Sequence, residues 1–380
     1  TKGNVIDPMV FVEKYGVDAL RFTLITGSTP GNSQSMAESK IEYSRNFSNK
    51  LWQIAKFVLS NLGDTSKLLY NPLWEHEHYR VQEFQTDTPS GWILSRLTEV
   101  VDNTNRLFET YQYGEAGRQI QDFVWNDFAD WYVEISKDAL YGGKMTYRST
   151  EAAQEAARET LLHVLQMCLR LLHPFMPYVT EAIWQYLPGE RKALIVSEWP
   201  TANLPYKDGT SFGAGGGYEE IMGTIRDLVV KVRNVRNEYQ VEPGKRLNAL
   251  IVDESQYHSR HQSYIYSRLC NIAKVEELSD KHMEDFEFVG PPPNSVAIVS
   301  GSVTLYLPLA DMVDFAAERE RLNKELIDVT AQIDKSEKML GNEGFVSRAK
   351  PEVVTRERAR LSELTQTRTT IQERIGALPA

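Results

Sequence analysis

Apolar residues recur at helical spacing through most of this 380-residue chain. The sharpest run is residues 38–62, ESKIEYSRNFSNKLWQIAKFVLSNL, where Phe47, Leu51, Ile54, Val58 and Leu62 form one apolar stripe. At roughly 100° per residue, Asn46, Lys50, Gln53 and Phe57 fall on the flank of that stripe, with Lys56 beside Phe57. Before it, a turn at 4–8 leads into two short amphipathic helices at 9–15 and 17–25 around Gly16, and 27–35 reads as loop. In these helices Asp18 and Arg21 read as a surface pair. After it, the pattern predicts helices at 92–111, 114–140, 150–172 and 177–187. Pro89 and Gly91 mark the start of the first, Val124, Phe128, Trp131 and Ile135 give the second a core stripe, and Thr150 is N-cap-like. Long amphipathic helices with short connectors predict an up-and-down bundle.

Beyond residue 187 the pattern changes. Residues 193–198 read as a short strand closed by Trp199-Pro200, and 201–217, with Pro205 and GTSFGAGGG, as a linker. A helix at 218–239 carries Arg226, Arg233 and Arg236 on one face, able to meet either a nucleic acid or other helices. Strands at 247–252, 274–278, 296–299 and 303–307, with a helix at 257–271 and a loop at PPP 291–293, predict a small α/β unit. The last segment has heptad seams: Phe315, Leu322, Leu326, Val329, Ile333 and Leu340, then Leu361, Leu364, Ile371, Ile375 and Leu378, with Arg368 snorkelling from the second. Gly341, Gly344 and Pro351 separate the two runs, which predicts an antiparallel coiled-coil hairpin, the alternative being a dimeric coiled coil. The whole is a mainly α protein divided as 1–37, 38–200, 201–217, 218–311 and 312–380.

Charge narrows the function classes. The net charge of −10 argues against one broad basic field for nucleic acid. Residues 312–380 hold 12 basic and 12 acidic side chains, so the acidic excess lies in 1–311 and any nucleic-acid contact depends on local clusters. The Asn46–Phe57 flank is such a cluster: an aromatic ring to stack on a splayed base, amides to read its edge, lysines to meet phosphate. Packing of Phe57 under a neighbouring helix is the competing reading.

No catalytic constellation emerges. His76 and His78 sit in a Tyr/Pro/Trp loop, and His163 and His173 on apolar helices, as satisfied core or surface residues. Cys168 and Cys270 form neither a disulfide framework nor a metal site, and suit a reducing cytoplasm. No apolar run reaches membrane-spanning length, so no membrane partner is expected. No catalytic residue, metal ligand or cofactor is assigned to this segment.

Several strings resemble the valyl-tRNA synthetase family of class I aminoacyl-tRNA synthetases. TKGNVIDP (1–8) and YGVDALR (15–21) resemble the stretch just after that class's KMSKS signature, which leads us to expect a piece of a longer chain. SRNFSNKLW (44–52), DFVWNDFADWYVEISK (122–137), LLHPFMPYVTEAIWQYL (171–187) and VRNVRNEYQVEPGKRL (232–247) resemble the same family. MLGNEGFVSRAKPEVVTRERARL (339–361) resembles its C-terminal arm, which the isoleucyl and leucyl relatives lack. The resemblance implies a stem-contact segment at 1–37, an anticodon-binding bundle and a tRNA-binding arm. It implies anticodon contacts from Lys50, Lys56 and Phe57; the family often has a basic residue near Ser39, a position that is neutral here with Lys40 adjacent, so that contact is not carried over. Lys335, Lys338, Arg348, Lys350, Arg356 and Arg360 are candidates for the tRNA outer corner. The longer parent would use ATP with magnesium to attach valine to its tRNA; this segment would bind the tRNA as a cytoplasmic monomer without catalysing. The alternatives are a protein-interaction module using the hairpin and a fragment of an isoleucyl-type ligase.

Overall fold

The computed structural model describes residues 7–27, 37–63, 88–141, 150–189, 192–201, 218–253, 273–277, 294–312, 315–342 and 351–377. They fall into two compact units, Thr1–Arg226 and Asp227–Ala380. The predicted helix at 257–271, the linker, the PPP loop, His76, His78 and Cys270 lie outside the described residues.

The first unit is built of α1 (Pro8–Tyr15), α2 (Val17–Gly27), α3 (Glu38–Asn61), α4 (Thr88–Glu109), α5 (Tyr113–Asp122), a π-helical segment (Phe123–Tyr132), α6 (Val133–Leu140), α7 (Thr150–Leu172) and α8 (Pro177–Tyr186). The opening of α9 (Tyr218–Glu238) completes it. The stripe of α3 is buried as its spacing requires: Phe47, Leu51, Ile54 and Val58 are all closed to solvent. Each such side chain contributes about 1.5–3 kcal/mol of hydrophobic stabilisation. Helix α4 starts earlier than predicted, because Pro89 suits a first helical turn and Gly91 lies under the Tyr218 ring. A Cβ at Gly91 would come within 2.5 Å of that ring.

Two polar residues join α2 to α8 and to the turn before it. Asp7 caps α1 by accepting from the Met9 N–H, but Asp18 is no surface residue. It is buried, and its carboxylate accepts the N–H groups of Tyr178 (3.4 Å) and Val179 (2.7 Å) at the start of α8. Four N–H groups are unpaired at every helix start, and here another helix supplies the acceptor. Burial raises the Asp18 pKa, against the opposing pull of those backbone donors. Arg21 donates to the Pro174 carbonyl at 3.3 Å.

The predicted helix at 114–140 is continuous but changes pitch. From Phe123 to Tyr132 the backbone hydrogen bonds span five residues, as in Val133 N–H to Phe128 O. The wider turn moves Tyr132 inward and Trp131 out of the core stripe to a half-buried site. The inner face of this segment carries a carboxylate, Asp127, only 9% exposed. It accepts from Arg96 Nε of α4 (3.3 Å) and Arg226 Nη1 of α9 (3.1 Å). The Arg226 guanidinium lies 5.4 Å from the ring centres of both Trp92 and Trp131. Arg226 is thus occupied by protein.

The predicted strand at 193–198 is instead a 3-10 turn, Leu194–Val196. Only Leu194 is buried, its N–H given to Glu181 Oε2 at 2.8 Å, while Ile195 and Val196 stay exposed. Among the described residues of this unit no strand lies alongside to complete a ladder.

In the second unit, β1 (Leu247–Asp253), β2 (Val275–Glu277), β3 (Ser295–Ser300) and β4 (Val303–Pro308) form a sheet ordered β2-β1-β4-β3. β1 runs parallel to β2 with Leu247 opposite Val275, and antiparallel to β4 with Ile251 opposite Leu305. Alternation along β4 buries Val303, Leu305 and Leu307. The short helix α10 (Leu309–Met312) follows, and Arg236 donates to the carbonyls of Glu242 and Lys245, both at 2.8 Å. Arg236, like Arg226, meets protein; Arg233 is exposed.

Helices α11 (Phe315–Leu340) and α12 (Pro351–Ala377) pack antiparallel, with Leu322, Val329, Ile333 and Ile371 in one buried cluster flanked by Leu326, Leu361, Leu364 and Ile375. Ser336, one heptad beyond Val329, is buried in the seam and donates to Glu357 Oε1 at 2.7 Å.

Two predictions follow from burial in the first unit. His163 is enclosed in α7, and desolvation, then the Arg170 charge, depress its pKa to about 3. Its folded value lies below the unfolded one, so stability is full above pH 6.5 and is lost as pH falls toward 3. By linkage the loss reaches about 2 kcal/mol between pH 7 and 5; urea titrations of wild type and His163→Gln across that range should show it flattened in the variant. Asp127→Ala would leave two guanidinium groups without their shared carboxylate. With each about one-third exposed, the cost should be about 3 kcal/mol, read as a lower urea midpoint at unchanged slope.

Candidate nucleic-acid interface

The flank of α3 faces the groove beside the π-helical segment and α6. Asn46, Gln53 and Lys56 are exposed, and Lys50 and Phe57 are half-buried. All five stay on the surface of one helix, as their spacing at three and four residues dictates. Phe57 is not fully packed away under a neighbour: the Lys137 ammonium of α6 lies 5.7 Å from its ring centre, and Lys137 is itself paired with Glu134 at 2.7 Å. A cation held at an aromatic ring leaves a charged rim beside a flat apolar face, suited to a base and its phosphate.

Lys50 differs from a solvated lysine. Its Nζ lies 2.8 Å from Asp130 Oδ1 and 5.8 Å from the ring centre of Trp125. The ion pair offsets much of its charge, so Lys50 acts as a directed donor more than as a free cation. Lys56 is the exposed cation of the flank.

Four residues of this groove escaped the sequence argument: Tyr43, Trp125, Asp130 and Lys137. Tyr43 stands three residues before Asn46 and seven before Lys50, so it lies on the same stripe and its spacing was a usable signal. Trp125 and Asp130 were not accessible that way, since projecting 124–131 at 3.6 residues per turn misplaces a segment whose turns are wider.

The outer-corner candidates divide. Lys335, Lys338, Arg356 and Arg360 are exposed on α11 and α12, and Arg348 and Lys350 lie outside the described residues. Arg226 and Arg236, two members of the predicted arginine face, are committed to Asp127 and to the 242–245 turn. His173 is half-buried and bonded to Thr180 Oγ1 at 2.8 Å, and burial raises the Cys168 thiol well above its usual range. Among the described residues no group of three His, Cys, Asp or Glu is placed to hold a metal, and no helix is long and apolar enough to cross a membrane.

Comparison with known proteins identifies the family. Residues 90–251 match the family model of the anticodon-binding domain of tRNA ligases, and 314–379 that of the valyl-tRNA synthetase tRNA-binding arm. Valine–tRNA ligase of Carboxydothermus hydrogenoformans is 35% identical over 377 residues, covering 99% of this chain and 39% of its own length. Those of Clostridium acetobutylicum and Bacillus cereus are 36% identical over 378 and 380 residues, covering 99% of this chain and 40% of theirs. The chain therefore spans about two fifths of the length of the curated relatives it matches, and it belongs to the valyl-tRNA synthetase family.

Proposed function

We propose that this chain is the tRNA-recognition portion of a valine–tRNA ligase. The first unit takes the anticodon arm along the α3 flank, and the α11–α12 pair takes the outer corner of the tRNA. The observation that carries this reading is the coincidence of chemistry and family. A surface with a part-exposed ring, amides and an exposed lysine lies in a chain matched along its length by valine–tRNA ligases. Phe57 stacks on an unpaired base with Gln53, one turn away, at its edge; Asn46 and Lys50 donate to nucleotides further along the helix, and Lys56 meets phosphate. Lys335, Lys338, Arg356 and Arg360 supply phosphate contacts on the arm, joined by Arg348 and Lys350 from the segment between its helices.

The longer parent joins valine to its tRNA at the expense of ATP, with magnesium, acting as a monomer in the cytoplasm. Among the described residues of this chain no acidic cluster fits a magnesium ion, and no step of that reaction is assigned to it. Its share of the work is selection: binding one tRNA better than its relatives.

The decisive experiment measures binding of this chain to valine tRNA and isoleucine tRNA at two salt concentrations. Affinity should favour valine tRNA, fall steeply with salt, and lose its preference when the anticodon is changed. Phe57→Ala should weaken binding by roughly 1–3 kcal/mol with the circular dichroism spectrum intact. Salt-insensitive binding to a protein in place of RNA would overturn the reading in favour of an interaction module, and equal binding of both tRNAs would remove the anticodon part.

A further inference from the structure

The groove beside α3 holds more aromatic surface than the Phe57 contact uses. Tyr43 precedes Phe57 by 14 residues, about 21 Å along the helix axis. Its ring is stacked on Trp125, with centroids 5.6 Å apart and planes 15° from parallel, yet Tyr43 remains 51% exposed. Trp125 is half-buried and lies nearly parallel to Phe47, a fully buried core residue, at 6.1 Å. The pair is therefore braced from beneath by the bundle core and open above. Beside it stands the Lys50–Asp130 ion pair, whose ammonium is 5.8 Å from the Trp125 ring centre. Asp130 commits Oδ1 to Lys50, and among the described residues its Oδ2 has no partner.

We propose that Tyr43 and Trp125 form a second base-stacking subsite for the same unpaired RNA loop, with Asp130 accepting a hydrogen bond from the exocyclic amino group of the stacked base. The proposal rests on the reading of the α3 flank as an RNA surface. A braced, flat aromatic pair supports any base through its π-face. The carboxylate adds selectivity, because adenine, cytosine and guanine carry an exocyclic amino donor and uracil has a carbonyl oxygen in its place. Lys50 holds Asp130 in place and keeps the pair close to neutral, so the carboxylate does not repel the RNA backbone as an isolated charge would. The distance to Phe57 separates the two platforms by more than one base, so they hold different nucleotides of one loop.

The test uses the full chain and a synthetic anticodon stem–loop of valine tRNA carrying 2-aminopurine at each anticodon position in turn, with quenching as the stacking signal. Tyr43→Ala should weaken binding about tenfold and relieve quenching at one loop position, and Phe57→Ala should relieve it at a different one. Asp130→Asn should leave quenching in place but reduce the preference for an amino-bearing base over uracil at the Tyr43 position. If Phe57→Ala weakens binding while Tyr43→Ala changes neither affinity nor quenching, the second subsite is overturned and the first stands. Relief at the same position by both variants overturns it too, since one base then touches both rings. If neither variant matters, the RNA reading of the whole flank fails. An unchanged base preference in Asp130→Asn removes the carboxylate from the subsite.

Discussion

Asp127 sits inside the first unit with one carboxylate shared between two guanidinium groups. A charge only 9% exposed is tolerable because Arg96 and Arg226 both reach it. Burial alone pulls the Arg96 pKa down, but the charges of Asp127 and Glu99 outweigh it and hold that guanidinium above its ordinary value. Helix α4, the π-helical segment and the opening of α9 are tied at this one point. The Arg226 stack between Trp92 and Trp131 completes the joint on its apolar side. The widened turn that aims Asp127 inward also carries Trp125 and Asp130 to the groove beside α3. The core and the candidate interface thus share a single local departure from α-helical pitch.

Much of this was legible in the sequence because the signals were periodic. The α3 stripe, the four strands and the seams of α11 and α12 are patterns in which burial follows directly from spacing. What escaped depended on partners far away in the chain. Asp18 and Arg21 look like a surface pair until α8 arrives 160 residues later to use the carboxylate as a cap. Residues 193–198 have strand-like composition, but a strand needs a neighbour, and a turn that buries Leu194 alone satisfies them better. Trp131 left the core because the pitch changed beneath it, which no fixed-period projection anticipates. Of the interface, the α3 half was legible and the half from the π-helical segment was not.

The net charge of −10 is accompanied by local pairing of cations near the α3 groove. Among the described residues several cations of the helical unit and the sheet unit are engaged by protein: Arg96 and Arg226 with Asp127, Arg236 with backbone carbonyls, Lys50 with Asp130, Lys137 with Glu134. On the proposed reading, binding of a polyanion would then draw on local charges and on shaped aromatic surfaces more than on one broad basic field.

The serine in the seam of the C-terminal helix pair has a consequence for how that pair can change. Ser336 and Glu357 meet in an otherwise apolar contact, and sliding one helix past the other by a heptad would set Ser336 against Leu364 in one direction or Glu357 against Val329 in the other. The two residues act as an index mark on a ruler, fixing which turn of one helix lies opposite which turn of the other. An arm so indexed can lengthen only by adding whole heptads to both helices at once. The reach of its far end is therefore quantised, in steps of about 10 Å.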